Sequence, residues 1–222
     1  MKIVIAMDSF KGSISSLEAA SAVREGILRV HPDADIVSLP LADGGEGTVD
    51  ALIAGLGADR TAAEVSGPLG EPVSAEYGLK DGLAVMEMAA AAGLPLVPVE
   101  KRDGISASTY GVGEMIAHAL RRGCRRFVMG IGGSATTDGG MGMLQALGFS
   151  FRDSSGNEVG RGAKALADVA SISAEHVMPE LKDAEFSIAC NVNNPLCGPR
   201  GSAAVYGPQK GLRDVETTDA HM

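Results

Sequence analysis

The stretch FVMGIGGSATTDGGMGMLQAL, residues 127–147, passes from a buried-type strand, Phe127 to Ile131, through a glycine-rich loop over 132–140 into a helix reaching about Leu147. Strand, loop and helix in that order are half of a parallel α/β unit, because a parallel neighbour is reached only by a crossover. The loop offers unobstructed backbone N–H groups and the hydroxyls of Ser134, Thr136 and Thr137 to an anion such as phosphate. A plain glycine turn with ordinary helix capping is the alternative. Read as Gly130, Gly132 and Ala135, the loop also satisfies the GxGxxA dinucleotide pattern, with Asp153 following 23 residues after Gly130 behind a candidate strand. No GxxxxGK[ST] sequence occurs, so the P-loop mechanism is excluded.

Outward from this unit the same alternation continues. Upstream, Val112, Met115, Ile116, Ala119 and Leu120 share one face of a helix predicted over Ser106 to Arg122, with Gly123 as its stop. Downstream, a strand from Phe186 to Cys190 leads to NVNNPLCGP at 191–199 and YGPQKG at 206–211. At the start of the chain, a strand at Ile3 to Ala6 ends at Asp8 and Ser9, and Ser13 or Ser15 can cap a helix over Leu17 to Leu28. A strand at Ile36 to Leu39, the loop ADGGEGT at 42–48 and a helix to about Leu56 repeat the pattern. Between Ala62 and Met88 the short stretches read as hairpins, which puts a lobe boundary near 65–80.

With 222 residues, 45% hydrophobic and 21% charged, the composition is that of a folded globular chain. Thirty glycines and no tryptophan suit closely packed α/β layers and exclude an aromatic platform for single-stranded nucleic acid. With a net charge of −9, no run of Lys or Arg resembles a DNA or membrane footprint, so neither a nucleic-acid polymer nor a membrane surface is the expected partner, while a small anion stays open. Cys124, Cys190 and Cys197 form no CxxC pair and are expected as buried thiols. Neither HExxH nor GxSxG is present, which weighs against a zinc hydrolase and a serine hydrolase. No signal-peptide pattern and no apolar span near 18 residues occur, so a cytoplasmic location is expected.

The segments 8–13, 42–48, 130–140 and 191–211 each follow a predicted strand, so a parallel sheet would gather them on one rim. Phosphoryl transfer needs carboxylates for Mg²⁺, cations or amides for the phosphoryl oxygens, and a group that takes the alcohol proton. Asp8, Asp43, Glu46 and Asp138 are the candidate carboxylates, and Lys11 and Lys210 the candidate cations. Each also has an ordinary structural reading, as a turn cap, a helix cap or a solvated lysine.

Together, MKIVIAMDSFKGS at 1–13, ADGGEGT at 42–48, VSGPLG at 65–70, EMAAAAGL at 87–94, GIGGSATTDGG at 130–140, NPLCGP at 194–199 and GPQKG at 207–211 resemble the bacterial glycerate kinase family in order and spacing. The resemblance implies ATP- and Mg²⁺-dependent phosphorylation of D-glycerate, usually at the 2-hydroxyl. It also implies an α/β fold of two lobes, a Rossmann-like parallel-sheet lobe with a second α/β lobe inserted, and a site in the cleft between them. By this likeness and by placement after strands, Asp8, Lys11, Asp43 and Asn191 are the catalytic candidates. Gly132, Gly133, Ser134, Thr136, Thr137 and Lys210 are the nucleotide candidates, and Asp43, Glu46 and Asp138 the metal candidates.

Two departures accompany the likeness. Asn191 stands in ACNVNNP where the family generally shows an aspartate, and an amide can neither take a proton at neutral pH nor bring charge to Mg²⁺. Family members also continue well beyond GPQKG, and 212–222 does not resemble their continuation. The expectation is therefore a Rossmann-like lobe begun over 1–70, a mostly second lobe over 71–211, an atypical tail, and a first lobe left incomplete with unpaired edges. An inactive or regulatory glycerate-kinase-like fragment and an NAD(P)-binding oxidoreductase using Gly130, Gly132 and Ala135 are the alternatives. A homodimer is an open expectation.

Overall fold

The computed structural model describes residues 1–8, 10, 13–41 and 47–212. The chain opens with β1 (Lys2–Met7), α1 (Ser16–Val30) and β2 (Asp35–Pro40). β1 and β2 pair in parallel from Lys2↔Asp35 to Met7↔Pro40, so α1 is the crossover. The Ser15 hydroxyl caps α1 by accepting from the Glu18 N–H at 3.2 Å, while the Ser15 N–H donates to Glu18 Oε2 at 3.0 Å. Ile5, Ala20 and Ile36 bury the face between this pair and α1.

After α2 (Thr48–Leu56) come β3 (Asp59–Ser66), β4 (Pro72–Lys80) and β5 (Leu83–Glu87), joined by antiparallel ladders. The expected hairpins are present, turned at Gly67 and Gly70 and at Asp81 and Gly82, the last two at φ +47° and +75°. β3 pairs with β4 along its whole length, from Asp59↔Leu79 to Ser66↔Pro72. The change of sheet thus falls between Leu56 and Asp59.

α3 (Ala89–Ala92), α4 (Tyr110–Arg121), β6 (Arg126–Gly130), α5 (Met141–Ala146), β7 (Ser150–Arg152), β8 (Ser171–Ser173), β9 (Glu185–Ala189) and α6 (Ser202–Tyr206) follow. The second sheet has the order β3-β4-β5-β6-β9, with β5, β6 and β9 parallel. Their carboxyl ends therefore lie at one edge, where the segments after Glu87, Gly130 and Ala189 leave the sheet. Phe127 and Phe186, opposite each other in the ladder, stack with ring centroids 4.6 Å apart.

The main core lies between this sheet and α4, whose Val112, Met115, Ile116, Ala119 and Leu120 are all buried, the face predicted from helical spacing. α4 approaches β3 so closely that a Cβ on Gly111 would sit 1.8 Å from the Ser66 carbonyl oxygen, and only glycine fits there. Within α4 a half-buried histidine faces the core: Tyr77 Oη lies 2.8 Å from His118 Nδ1. Among the cysteines only Cys124 is buried, and Cys190 and Cys197 are exposed, which corrects the expectation of three buried thiols.

Candidate functional site

The loop after β6 is fastened along one side by three backbone hydrogen bonds to the segment 88–94. Met88 N–H donates to Gly130 O at 2.9 Å, Leu94 N–H to Gly133 O at 2.9 Å, and Ala135 N–H to Ala92 O at 2.8 Å, so the EMAAAAGL stretch and the glycine loop run as one unit. On the opposite side, Lys210 Nζ donates to Ser134 Oγ and to Thr136 O, both at 2.7 Å. Burial pushes the Lys210 ammonium down to about 8, against the opposing pull of the Asp138 charge.

A cavity of about 840 Å³ opens beside this contact. Its lining brings the polar Ser134, Thr136, Thr137, Asp138 and Lys210 together with the apolar Met129, Met143, Leu181, Phe186 and Ile188. A few convergent polar groups among apolar side chains are the usual make-up of a small-molecule pocket. Four of the six expected nucleotide residues therefore share one wall; Gly132 and Gly133 lie in the same loop, outside that wall.

Two of these side chains have other duties. Asp138, 1% exposed, was expected among the metal ligands. Its oxygens instead accept from Thr109 N–H at 2.7 Å, Thr109 Oγ1 at 2.9 Å, Ser108 Oγ at 3.3 Å, Gly140 N–H at 3.2 Å and Gly142 N–H at 3.3 Å. One carboxylate thus ties the heads of α4 and α5 together, where helix dipoles favour a negative charge. With both oxygens committed to donors, this geometry favours a pin over an ion ligand. The Thr137 hydroxyl donates to Gly104 O at 2.7 Å, so its proton is spent on a backbone tether rather than held for a phosphate.

Asp8 stands one residue beyond β1, half-buried, beside a turn in which Met7 O accepts from Leu41 N–H at 3.0 Å and Ser16 Oγ at 2.7 Å. Asn191 is exposed, two residues past β9, at the same sheet edge as the glycine loop because β6 and β9 are parallel. Lys11, Asp43 and Glu46 lie outside the described residues. Among the described residues no group of three His, Cys, Asp or Glu is placed to hold a metal ion. Asn194 is a brace: its amide donates to Arg200 O at 3.0 Å and accepts from Tyr206 Oη at 2.7 Å.

The dinucleotide alternative fails on topology. Its acidic residue should follow the next parallel strand, but β7, which precedes Asp153, pairs antiparallel with β8 and not with β6. Asp153 itself closes a turn, accepting from Ser155 N–H at 2.8 Å and Asn157 N–H at 2.9 Å.

Several participants carry no local signal in the sequence. Thr109, Ser108 and Gly104 meet the loop only through the fold. Glu87, at the end of β5, accepts the Val49 N–H at 2.8 Å and so fastens the first turn of α2 to the second sheet.

Fold and site together define an α/β protein in which a glycine loop at a strand end is closed by a lysine from a distant turn. Within that class, the chain belongs to the glycerate kinase family, whose family model matches residues 3–222. It is 53% identical over 213 residues to a glycerate kinase of Bacillus subtilis (strain 168), covering 95% of this chain and 56% of the relative. To a glycerate 2-kinase of Escherichia coli (strain K12) it is 50% identical over 217 residues, covering 97% and 57%. A crystal structure described as glycerate kinase 2 from Salmonella typhimurium LT2 superposes with a TM-score of 0.91 at 47% identity, over 100% of this chain and 60% of that one. The chain thus spans between half and two thirds of the length of these relatives.

Proposed function

We propose that the protein acts as a kinase that passes the γ-phosphoryl group of ATP to D-glycerate and forms 2-phosphoglycerate. The observation that carries this reading is the Lys210 ammonium, held 2.7 Å from Ser134 Oγ and Thr136 O in the lining of the cavity of about 840 Å³. Phosphoryl transfer spreads negative charge over the phosphoryl oxygens, and donors already fixed in a water-poor site stabilise it without reorganising.

In this reading Lys210 and the loop from Gly132 to Thr136 hold the ATP phosphates, and the apolar part of the lining near Phe186 and Ile188 takes the base. Mg²⁺ bound with a nucleotide needs only one or two protein carboxylates beside the phosphates, where it bridges and neutralises them. Asp43 and Glu46 are the proposed ligands, with Asp138 kept as the loop's pin. Asp8, Lys11 and Asp43 are proposed to face glycerate, and Asn191 is proposed to lie beside the alcohol that takes the phosphoryl group. Among the described residues no helix is long and apolar enough to cross a membrane. A cytoplasmic location and a homodimer belong to this proposal.

A second reading, a binding or regulatory protein that keeps the loops without a finished site, is favoured by uncovered apolar side chains. On the face of β1 and β2 away from α1, Val4 is 55% and Leu39 46% exposed, and β9, the edge strand among the described residues, shows Ile188 at 51%. A coupled assay with ATP, Mg²⁺ and D-glycerate on the 222-residue chain separates the two readings. The kinase predicts turnover that falls sharply in Asp43→Ala and Lys210→Ala; if both variants match the parent, the assignments fail. ATP binding by calorimetry without turnover would favour the second reading.

A further inference from the structure

We propose that residues 102–104 form a splint that sets the Lys210 ammonium on the glycine loop, with Arg102 as its positioning residue. This rests on the reading of Lys210 as the cation that faces phosphate.

The splint grips both partners of the Lys210 contact. Arg102 Nη1 donates to Gln209 O at 3.1 Å and Arg102 Nε to Val97 O at 3.5 Å, so one planar guanidinium bridges two backbone segments. Two residues on, Gly104 N–H donates to Lys210 O at 2.9 Å, and Gly104 O accepts from Thr137 Oγ1 at 2.7 Å. The turn at 208–211 and the loop at 134–137 are therefore both indexed to the same short segment.

Packing leaves this arrangement no slack. Gly211 has φ +84°, and a Cβ there would come 2.1 Å from Arg102 O. A Cβ on Gly104 would stand 3.1 Å from Lys210 Cβ. Neither Arg102 nor Gly104 lines the cavity, so any effect on a ligand passes through Lys210. A lysine has a long flexible stem, and its charge meets a phosphate reliably only if its backbone is fixed and its stem enclosed. The splint supplies both conditions.

The test uses the full chain with lysine 13Cε labelling, a pH titration by NMR, and calorimetry with ATP. In the parent, the Lys210 signal should titrate near 8, the value its burial imposes. In Arg102→Ala its midpoint should rise toward the ordinary lysine value of 10.5 as water reaches the ammonium. The Kd for ATP should rise about tenfold, the loss of roughly one hydrogen bond's free energy. Arg102→Lys, with one donor left for Gln209 O, should fall between.

Should Arg102→Ala not fold, Thr137→Val removes a single bond from the other side of the splint and should move the Lys210 midpoint in the same direction. An unchanged midpoint in a folded variant overturns the proposal. A shifted midpoint in a chain that binds no ATP upholds the splint and removes the phosphate reading instead.

Discussion

The Asp138 carboxylate accepts the backbone N–H of Thr109 at 2.7 Å and its hydroxyl at 2.9 Å, and the same hydroxyl accepts the Met143 N–H at 2.9 Å. The head of α4, the glycine loop and the first turn of α5 are thereby joined through one buried charge. Replacing that charge by an isosteric amide turns an NH₂ toward backbone donors. Asp138→Asn should lose roughly 3 kcal/mol, the scale of hydrogen bonds to a charged group together with a buried mismatch. Urea unfolding measures it. A variant as stable as the parent, with altered Mg²⁺ dependence, would return Asp138 to the metal.

Lys210 predicts a proton-linked ligand affinity. An anionic phosphate favours the ammonium form and raises its pKa above the free value of about 8. Binding therefore takes up protons at and above pH 8, and ATP affinity falls as pH rises through that value. Calorimetry at pH 8.5 in buffers of different ionisation enthalpy should show net proton uptake, absent in Lys210→Met. In the unliganded protein, the unfolded chain holds the extra proton between about 8 and the ordinary 10.5, so this group's contribution to stability rises with pH across that window.

Buried Tyr77 and half-buried His118 form a pair whose effect is on the fold. Burial holds the Tyr77 phenol up at about 12, while burial and then the charges of Arg122 and Arg121 hold His118 below 6.5. A depressed imidazole contributes stability that is present above pH 6.5 and is lost as pH falls through its folded value. Tyr77→Phe leaves His118 without its phenolic partner and should cost about 1–2 kcal/mol at pH 7.5. Denaturant midpoints between pH 5 and 8 give both quantities; a flat profile in the parent would rule out the titration.

Asn191 offers a gain-of-function test. If it occupies the position of the proton acceptor, Asn191→Asp should raise turnover of ATP and D-glycerate by about 10²- to 10⁴-fold, the span of general-base catalysis. Steady-state rates near neutral pH decide it, and an unchanged or lower rate would place the base elsewhere.

The alternation of strand, loop and helix was legible because its signals are local. Apolar runs mark β1, β2, β6 and β9, and the spacing of Val112, Met115, Ile116, Ala119 and Leu120 marks the buried face of α4. Ser134 and Lys210 were also readable as candidates, one from its glycine-rich setting and the other from its place in GPQKG. Their junction was not readable, since 76 residues separate them and no periodicity extends that far.

The same holds for Asp138, whose main partner Thr109 is 29 residues away, and for Thr137, whose hydroxyl goes to Gly104 at a separation of 33. Residue type and spacing set which groups could serve, because propensity and hydrophobic period act over a few residues. Which of them face a ligand and which hold the frame was decided by tertiary packing, because a buried polar group must take whatever partner the fold delivers.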